Sequence, residues 1–436
     1  MTESVSYPTE TFTSRLLGES YQKIRHPSGL DIYLFPKDMT TTYALFGTRY
    51  GSIHNSFRIG DGECITVPDG IAHFLEHKLF LNEDGTDSFE RFSEYGADAN
   101  AYTSFNKTAY LFSCTEGFEE SLGELLDFVT HPHFPEEAIK SELGIITEEI
   151  RMYDDSPSDR CFYGMLEGMY EKHSIRRNIC GSAESIRKIT PDLLYTCYRA
   201  FYRLSNMALI LCGRVDEQTV LKIADAHLPK SAPIPLAVTP VNENRLEKPC
   251  AFQPRVTQKM QVSKPLFNIG FKDTDIPESG RERQRKDAGM AILNEMLFSR
   301  AGTLYNSLLD AGLITPGMSY GYTISETSAY NSIAGEADDP EAVLEVIRRY
   351  LDGIRPEELS KEDFVRGKKV MYAEFVKSFD SPDSIANNLF SFVCEDSELL
   401  SYADTLESIT YEEVCRLFPG AFRPEATTLS VILPLA

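Results

Sequence analysis

The chain has 436 residues, 43 lysines and arginines against 66 aspartates and glutamates, a formal net charge of −23 and a hydrophobic share of 42%. That acidic balance repels nucleic acid and anionic lipid, so neither is an expected partner. The length exceeds one ordinary core and implies two or more domains, and no apolar run approaches the ~20 residues of a membrane helix.

From the N-terminus, Met1 to Tyr21 shows no basic region followed by an apolar one and carries Glu3, Glu10 and Glu19. This argues against a secretory signal and against an acid-poor transit peptide. The nine cysteines are scattered from Cys64 to Cys415 without a Cys-x-x-Cys pair, which reads as reduced thiols, most of them small buried residues. A cytoplasmic location is the expectation.

Tyr43 to Gly51 reads as a strand. Gly70 to Phe80 then reads as a helix, with Asp69 as its expected N-cap. At ~100° per residue, His73, Glu76 and His77 fall in one sector of roughly 100°, while Ile71, Ala72, Phe74, Leu75 and Leu79 fill most of the rest. A surface helix has the opposite balance; this one suits a buried helix presenting a narrow polar face to a cavity. Two imidazoles four residues apart stack on one helix face and can share a metal ion, and Glu76 stands beside them to polarise a bound water. The order is His-x-x-Glu-His, the inverse of the commoner zinc-peptidase motif.

Ser88 to Tyr95 is predicted as a short helix and Ala97 to Cys114 as a strand pair turning at Phe105-Asn106-Lys107. Glu119 to Thr130 and Glu136 to Asp154 are predicted helices. The second carries three candidates for a third metal ligand, Glu142, Glu148 and Glu149. Ile139, Leu143, Ile146 and Ile150 form its apolar stripe; Glu142 and Glu149 lie together ~60–80° to one side, and Glu148 points away toward solvent. Glu149 is therefore taken as the ligand, and Glu142, two turns earlier on the same side, as the acceptor that orients a histidine. His131 and His133 flank Pro132 and precede Pro135, which reads as a turn between helices rather than a second metal site. His54, His173 and His227 are isolated. No phosphate-binding Gly-rich loop ending in Lys-Ser or Lys-Thr and no Gly-x-Ser-x-Gly elbow occurs.

Met207 to Cys212 reads as a buried strand, after which Pro229, Pro233, Pro235, Pro240, Pro249 and Pro254 mark a linker. The expected organisation is a zinc-bearing domain over residues 1–230, a linker over 231–255 and a second domain over 256–436. Strands and helices mix without regular βαβ alternation, which predicts an α+β fold. The second half resembles a weak copy of the first: Ala291-Ile292-Leu293-Asn294-Glu295-Met296 keeps the pattern of Ala72 to His77 and loses both histidines. No histidine follows His227, so the second unit cannot rebuild the site.

These residues resemble the pitrilysin and mitochondrial processing peptidase family of zinc peptidases. The similarity lies in Gly70 to His77, in Asn100-Ala101-Tyr102-Thr103-Ser104, in Glu142 and Glu149 spaced by seven, and in Gly181, Ser185-Ile186, Tyr202, Ser205-Asn206-Met207 and Gly213-Arg214-Val215-Asp216. It spans most of the first ~230 residues at four separated places. The resemblance implies two structurally similar domains, each an antiparallel-rich mixed sheet covered by helices, the second walling off a chamber around the first. It implies His73, His77 and Glu149 on Zn2+, Glu76 as general base, and Asn100 and Ala101 holding an extended peptide substrate along an edge strand.

One departure accompanies it. Active members carry in a second domain an arginine and, a few residues on, a tyrosine that hold the substrate carbonyl; here Leu309 and Thr315 stand at those positions, with Tyr320 and Tyr322 nearby. The resemblance therefore implies a homologous partner subunit in a heterodimer, with a homodimer as the alternative. The function it implies is an endopeptidase acting on peptides or small unfolded proteins, the alternative being a scaffold subunit that keeps the fold without cleaving.

Overall fold

A computed structural model describes residues 7–233, 236–241 and 246–435. The first half contains β1 (Thr9–Ser14), β2 (Glu19–Arg25), β3 (Asp31–Pro36), β4 (Thr42–Thr48), β5 (Ser56–Ile59), β6 (Cys64–Thr66), α1 (Ile71–Leu79), α2 (Ser88–Glu94), β7 (Asp98–Thr103), β8 (Thr108–Cys114), α3 (Phe118–Thr130), α4 (Glu136–Asp154), α5 (Pro157–Met169), α6 (Pro191–Phe201), β9 (Met207–Gly213) and α7 (Glu217–His227). A short β10 (Val238–Pro240) precedes the second half: β11 (Arg255–Met260), β12 (Leu266–Asp273), α8 (Gly280–Phe298), α9 (Thr303–Asp310), β13 (Ser319–Ile324), β14 (Ala329–Glu336), α10 (Pro340–Asp352), α11 (Lys361–Lys377), α12 (Pro382–Cys394), α13 (Ser401–Ser408), α14 (Tyr411–Ala421) and β15 (Thr427–Pro434).

Two mixed sheets and a small antiparallel one, β10-β5-β6, organise these elements. The first has the order β1-β2-β3-β9-β4-β8-β7 and the second β11-β15-β12-β14-β13. Without β1 and β2, the orders superpose strand for strand, and so do the directions: β3 with β9 and β11 with β15 are the parallel pairs, and every other pairing is antiparallel. The weak internal copy read from the sequence is thus a repeated fold, and the α+β architecture of two similar helix-covered sheets is present.

The central strands β4 and β9 are buried along their whole length, which explains their unbroken apolar runs. Alternate residues serve different cores: Ile32, Leu34, Ala44 and Phe46 pack with α1 and α3, while Tyr33, Phe35, Tyr43 and Leu45 face Leu389 and Phe390 of α12.

That second contact crosses the repeat. Helix α12 of the second half packs on β4 and β9, and α5 of the first half packs on β12, β15 and β11. Glycines permit both approaches: a Cβ on Gly47 of β4 would lie 2.1 Å from the Phe390 ring, and one on Gly270 of β12 would lie 2.6 Å from Met165. Within the proline-rich passage, β10 pairs with β5, and Glu247 forms a 2.6 Å ion pair with Lys272 in which both side chains are 1% exposed. Glu247 also accepts the backbone N–H groups of Glu171, Lys172 and His173, so the described part of this passage is fastened to both halves.

Candidate metal centre

Helix α1 is buried on nearly every side, as its composition predicts. Its start differs from the expectation. Gly70, not Asp69, is the N-cap, with φ of 89°, and a Cβ there would meet the Cys180 carbonyl at 2.4 Å. Only glycine enters so tight a left-handed junction without strain. Asp69 instead accepts hydrogen bonds from Asn55 at 2.5 Å and Arg177 at 2.7 Å, bracing the loop ahead of the helix.

One turn of α1 brings the His73 and His77 rings to 4.5 Å between centroids. Helix α4 lies against α1 and delivers Glu149, whose two carboxylate oxygens stand 3.5 Å from His73 Nε2 and 3.6 Å from His77 Nε2. Among the described residues, these three are the group of His, Cys, Asp or Glu side chains with ligand atoms within 4.8 Å of one another. Glu148 points to solvent at 70% exposure and pairs with Arg151. Glu142 Oε1 lies 2.9 Å from His77 Nδ1, and its Oε2 accepts from Lys78 Nζ at 2.5 Å. The wheel thus separates the three glutamates as the helices do.

The electrostatics follow. Burial pushes the Glu142 carboxyl up, but the hydrogen bonds from His77 and Lys78 outweigh it and hold it down at about 2. Glu149 is held below the usual carboxylate range, chiefly by its hydrogen bond with His73. Burial lowers His77, but Glu142 and the charges of Glu76 and Glu149 outweigh it, so its proton affinity rises. A carboxylate held ionised beside two imidazoles is compatible with a cation site, whose carboxylate ligand must be deprotonated to bind. Two imidazole nitrogens and a carboxylate form a donor set that suits zinc. Glu76, on the same helix, is buried, which raises its proton affinity; Thr103 Oγ1 donates to its Oε2 at 2.7 Å.

The site opens into a cavity of about 730 Å³ whose lining runs from His73 to Cys180, all in the first half. Strand β7 is the free edge of the first sheet, and Asn100 and Ala101 line the cavity from it. The Ala101 N–H is capped by the neighbouring Asn100 Oδ1 at 2.8 Å, so it lies off the β-ladder. Phe80 and Phe89 stack at 4.0 Å on one wall.

The remaining histidines stay outside. The exposed His131 has Nδ1 2.9 Å from the Asp127 carbonyl, at the end of α3, and His227 Nδ1 lies 2.8 Å from Asp127 Oδ1. Leu309 and Thr315 lie outside the cavity lining. Tyr320 and Tyr322 donate to Glu295 at 2.5 Å and Asp273 at 2.8 Å within their own half. Sequence reading gave no part to Lys78 or Cys180. The Cys180 Sγ is 3.8 Å from His73 Nε2 and 4.0 Å from Glu149 Oε1, and burial raises its thiol. A lysine on the apolar side of α1, away from the His73-Glu76-His77 face, was the available signal for Lys78; for Cys180, a hundred residues from the motif, there was none.

Two similar mixed sheets with an inverted His-x-x-Glu-His helix on one of them define the fold of a two-domain zinc-peptidase class. Residues 66–183 match the family model described as insulinase (peptidase family M16), and residues 188–371 match that described as the peptidase M16 inactive domain. The chain belongs to this family, the pitrilysin-like M16 peptidases. It is 37% identical over 439 residues to a Bacillus subtilis protein named uncharacterized zinc protease YmfH, covering 96% of this chain and 97% of that one. The crystal structure of a putative M16-like peptidase from Alicyclobacillus acidocaldarius is similar at a TM-score of 0.90 and 33% identity, covering 99% of this chain and 100% of that one. The first half of the periplasmic protease PqqL from Escherichia coli shares the fold at a TM-score of 0.70 and 17% identity, covering 95% of this chain and 92% of that one.

Proposed function

We propose that the chain is a zinc-dependent endopeptidase in which His73, His77 and Glu149 hold the metal and Glu76 moves the proton. The observation that carries this reading is the convergence of those three ligand atoms within 4.8 Å beside a buried carboxylate already held by Thr103. Bound zinc supplies Lewis acidity at that point. Glu76, with its raised proton affinity, takes a proton from water and returns it to the departing amine. Glu142 fixes the His77 ring, and the open edge of β7 aligns an extended peptide through Asn100 and Ala101.

Because the described cavity is lined from the first half, a homologous partner that contributes the arginine and tyrosine absent at Leu309 and Thr315 is part of the reading, as is an enclosed chamber in the assembled enzyme. Nine free thiols support a reducing compartment, the cytoplasm. Among the described residues no helix is long and apolar enough to cross a membrane.

The test is hydrolysis of a fluorescence-quenched peptide mixture by the purified chain, its Glu76→Gln variant and a chelator-treated sample. Cleavage lost in both controls supports the peptidase. A folded, zinc-loaded chain that cleaves nothing, alone or with a co-purified homologue, overturns it in favour of the scaffold subunit.

A further inference from the structure

Helix α4 presents Glu142 and Glu149 two turns apart on one side, about 10 Å along the axis, and nothing in α4 itself assigns them different work. The difference comes from α1. The His77 ring stands between the two carboxylates, Nδ1 at 2.9 Å from Glu142 and Nε2 at 3.6 Å from Glu149. Lys78, the next residue, is 7% exposed and places its Nζ 2.5 Å from the other oxygen of Glu142. Glu142 therefore receives one donor on each oxygen, from adjacent residues of one rigid helix.

We propose that Lys78 is a positioning residue for the metal centre, acting through Glu142. A buried carboxylate facing a histidine alone can turn about its terminal torsion, take the imidazole proton, or leave the ring to reach toward a cation. An ammonium on its second oxygen removes all three freedoms. It fixes the carboxylate plane, cancels its charge, and keeps it an acceptor for His77 Nδ1–H, so that the Nε2 lone pair is directed at the Glu149 side. Lys78 thus makes Glu142 the orienting acceptor and leaves Glu149 as the carboxylate available to the metal. Outer partners of this kind commonly contribute 10–100-fold in metal affinity.

This inference rests on the zinc assignment of the proposed function but not on turnover. The experiment is zinc affinity by chelator competition on the full-length chain, with cobalt absorption as a second readout and the melting temperature of the metal-free protein as a control for folding. Lys78→Met is expected to weaken zinc binding about 10-fold or more and to alter the cobalt spectrum, with Lys78→Arg recovering most of the affinity. In a Glu142→Gln background, where an uncharged amide carbonyl meets His77, adding Lys78→Met is expected to change affinity by less than about twofold, since the two residues act as one unit. Wild-type-like zinc affinity in a folded Lys78→Met chain overturns the proposal. So does an equal loss in the Glu142→Gln background, which makes Lys78 a packing residue, and so does a wild-type chain that binds no zinc. A chain that binds zinc but cleaves no peptide overturns the peptidase reading and leaves the Lys78 result standing.

Discussion

The Thr103 hydroxyl donates to Glu76 Oε2 at 2.7 Å, tying the edge strand β7 to the carboxylate of α1. On the proposed function, substrate alignment and proton transfer are therefore mechanically joined: the strand that would receive a peptide also fixes the carboxylate that would move the proton. Burial raises the Glu76 proton affinity and this hydrogen bond opposes the rise. Thr103→Val removes the donor at nearly constant shape, so the carboxyl rises further. The acid limb of the pH–rate profile is expected to move to higher pH, and turnover at neutral pH to fall about 10-fold. Zinc content stays at the wild-type level, and Thr103→Ser restores the profile.

The outward N–H of Ala101 is expected to carry substrate backbone once the Asn100 Oδ1 that caps it gives way to a substrate carbonyl. Ala101→Pro deletes it without charging the cleft. Peptide hydrolysis should show KM raised on the order of 10-fold, with kcat reduced less, because a lost edge hydrogen bond weakens binding before it touches the proton-transfer geometry.

Exchange of α5 and α12 between the halves predicts an asymmetric cost of added methyl groups. Gly47→Ala drives a Cβ to 2.1 Å from the stiff Phe390 ring, whereas Gly270→Ala meets the flexible Met165 at 2.6 Å. Denaturant unfolding should give a loss of about 2–3 kcal/mol for the first and about 1 kcal/mol for the second. Equal costs would mean that α12 shifts as freely as Met165 bends.

Acid sensitivity should arise away from the metal. Burial pulls His54 and His173 down to about 4, and each accepts a backbone N–H on Nδ1, from Gly51 and Ile175. Their unfolded value is 6.5, so between 6.5 and about 4 the unfolded chain binds the extra protons, and stability falls as pH falls through that window. For His173, 2% exposed, the loss is on the order of 3 kcal/mol. His173→Asn keeps an acceptor for Ile175 and is expected to flatten the fall in unfolding free energy measured by denaturant titration at pH 7, 6, 5 and 4.

Much of the site was legible because its residues are local to two helices. A spacing of four on α1 stacks His73 and His77, a spacing of seven on α4 co-aligns Glu142 and Glu149, and both follow from 3.6 residues per turn. The strand pair around Phe105, the helices at 119–130 and 136–154 and the buried strand at 207–212 were likewise written in local periodicity. Helix entry was misread because Asp69 looks like a cap in isolation, whereas the packing of Gly70 against the Cys180 carbonyl, invisible from the motif, fixes a left-handed residue there. The swap of α5 and α12 was equally hidden: amphipathic helices announce that they bury a face, not which sheet receives it.

By itself, then, the sequence determined the α+β class and the duplicated unit that lacks histidines, through the local periodicity of its elements, and determined which side chains of α1 and of α4 share a face, through spacing within one helix. The tertiary structure alone decided that α1 and α4 meet, that Lys78 and His77 divide Glu142 from Glu149, that Thr103 restrains Glu76, and that Cys180 stands against His73 and Glu149. Those relations join residues up to 107 positions apart, and only the packing of distant elements against one another sets such distances.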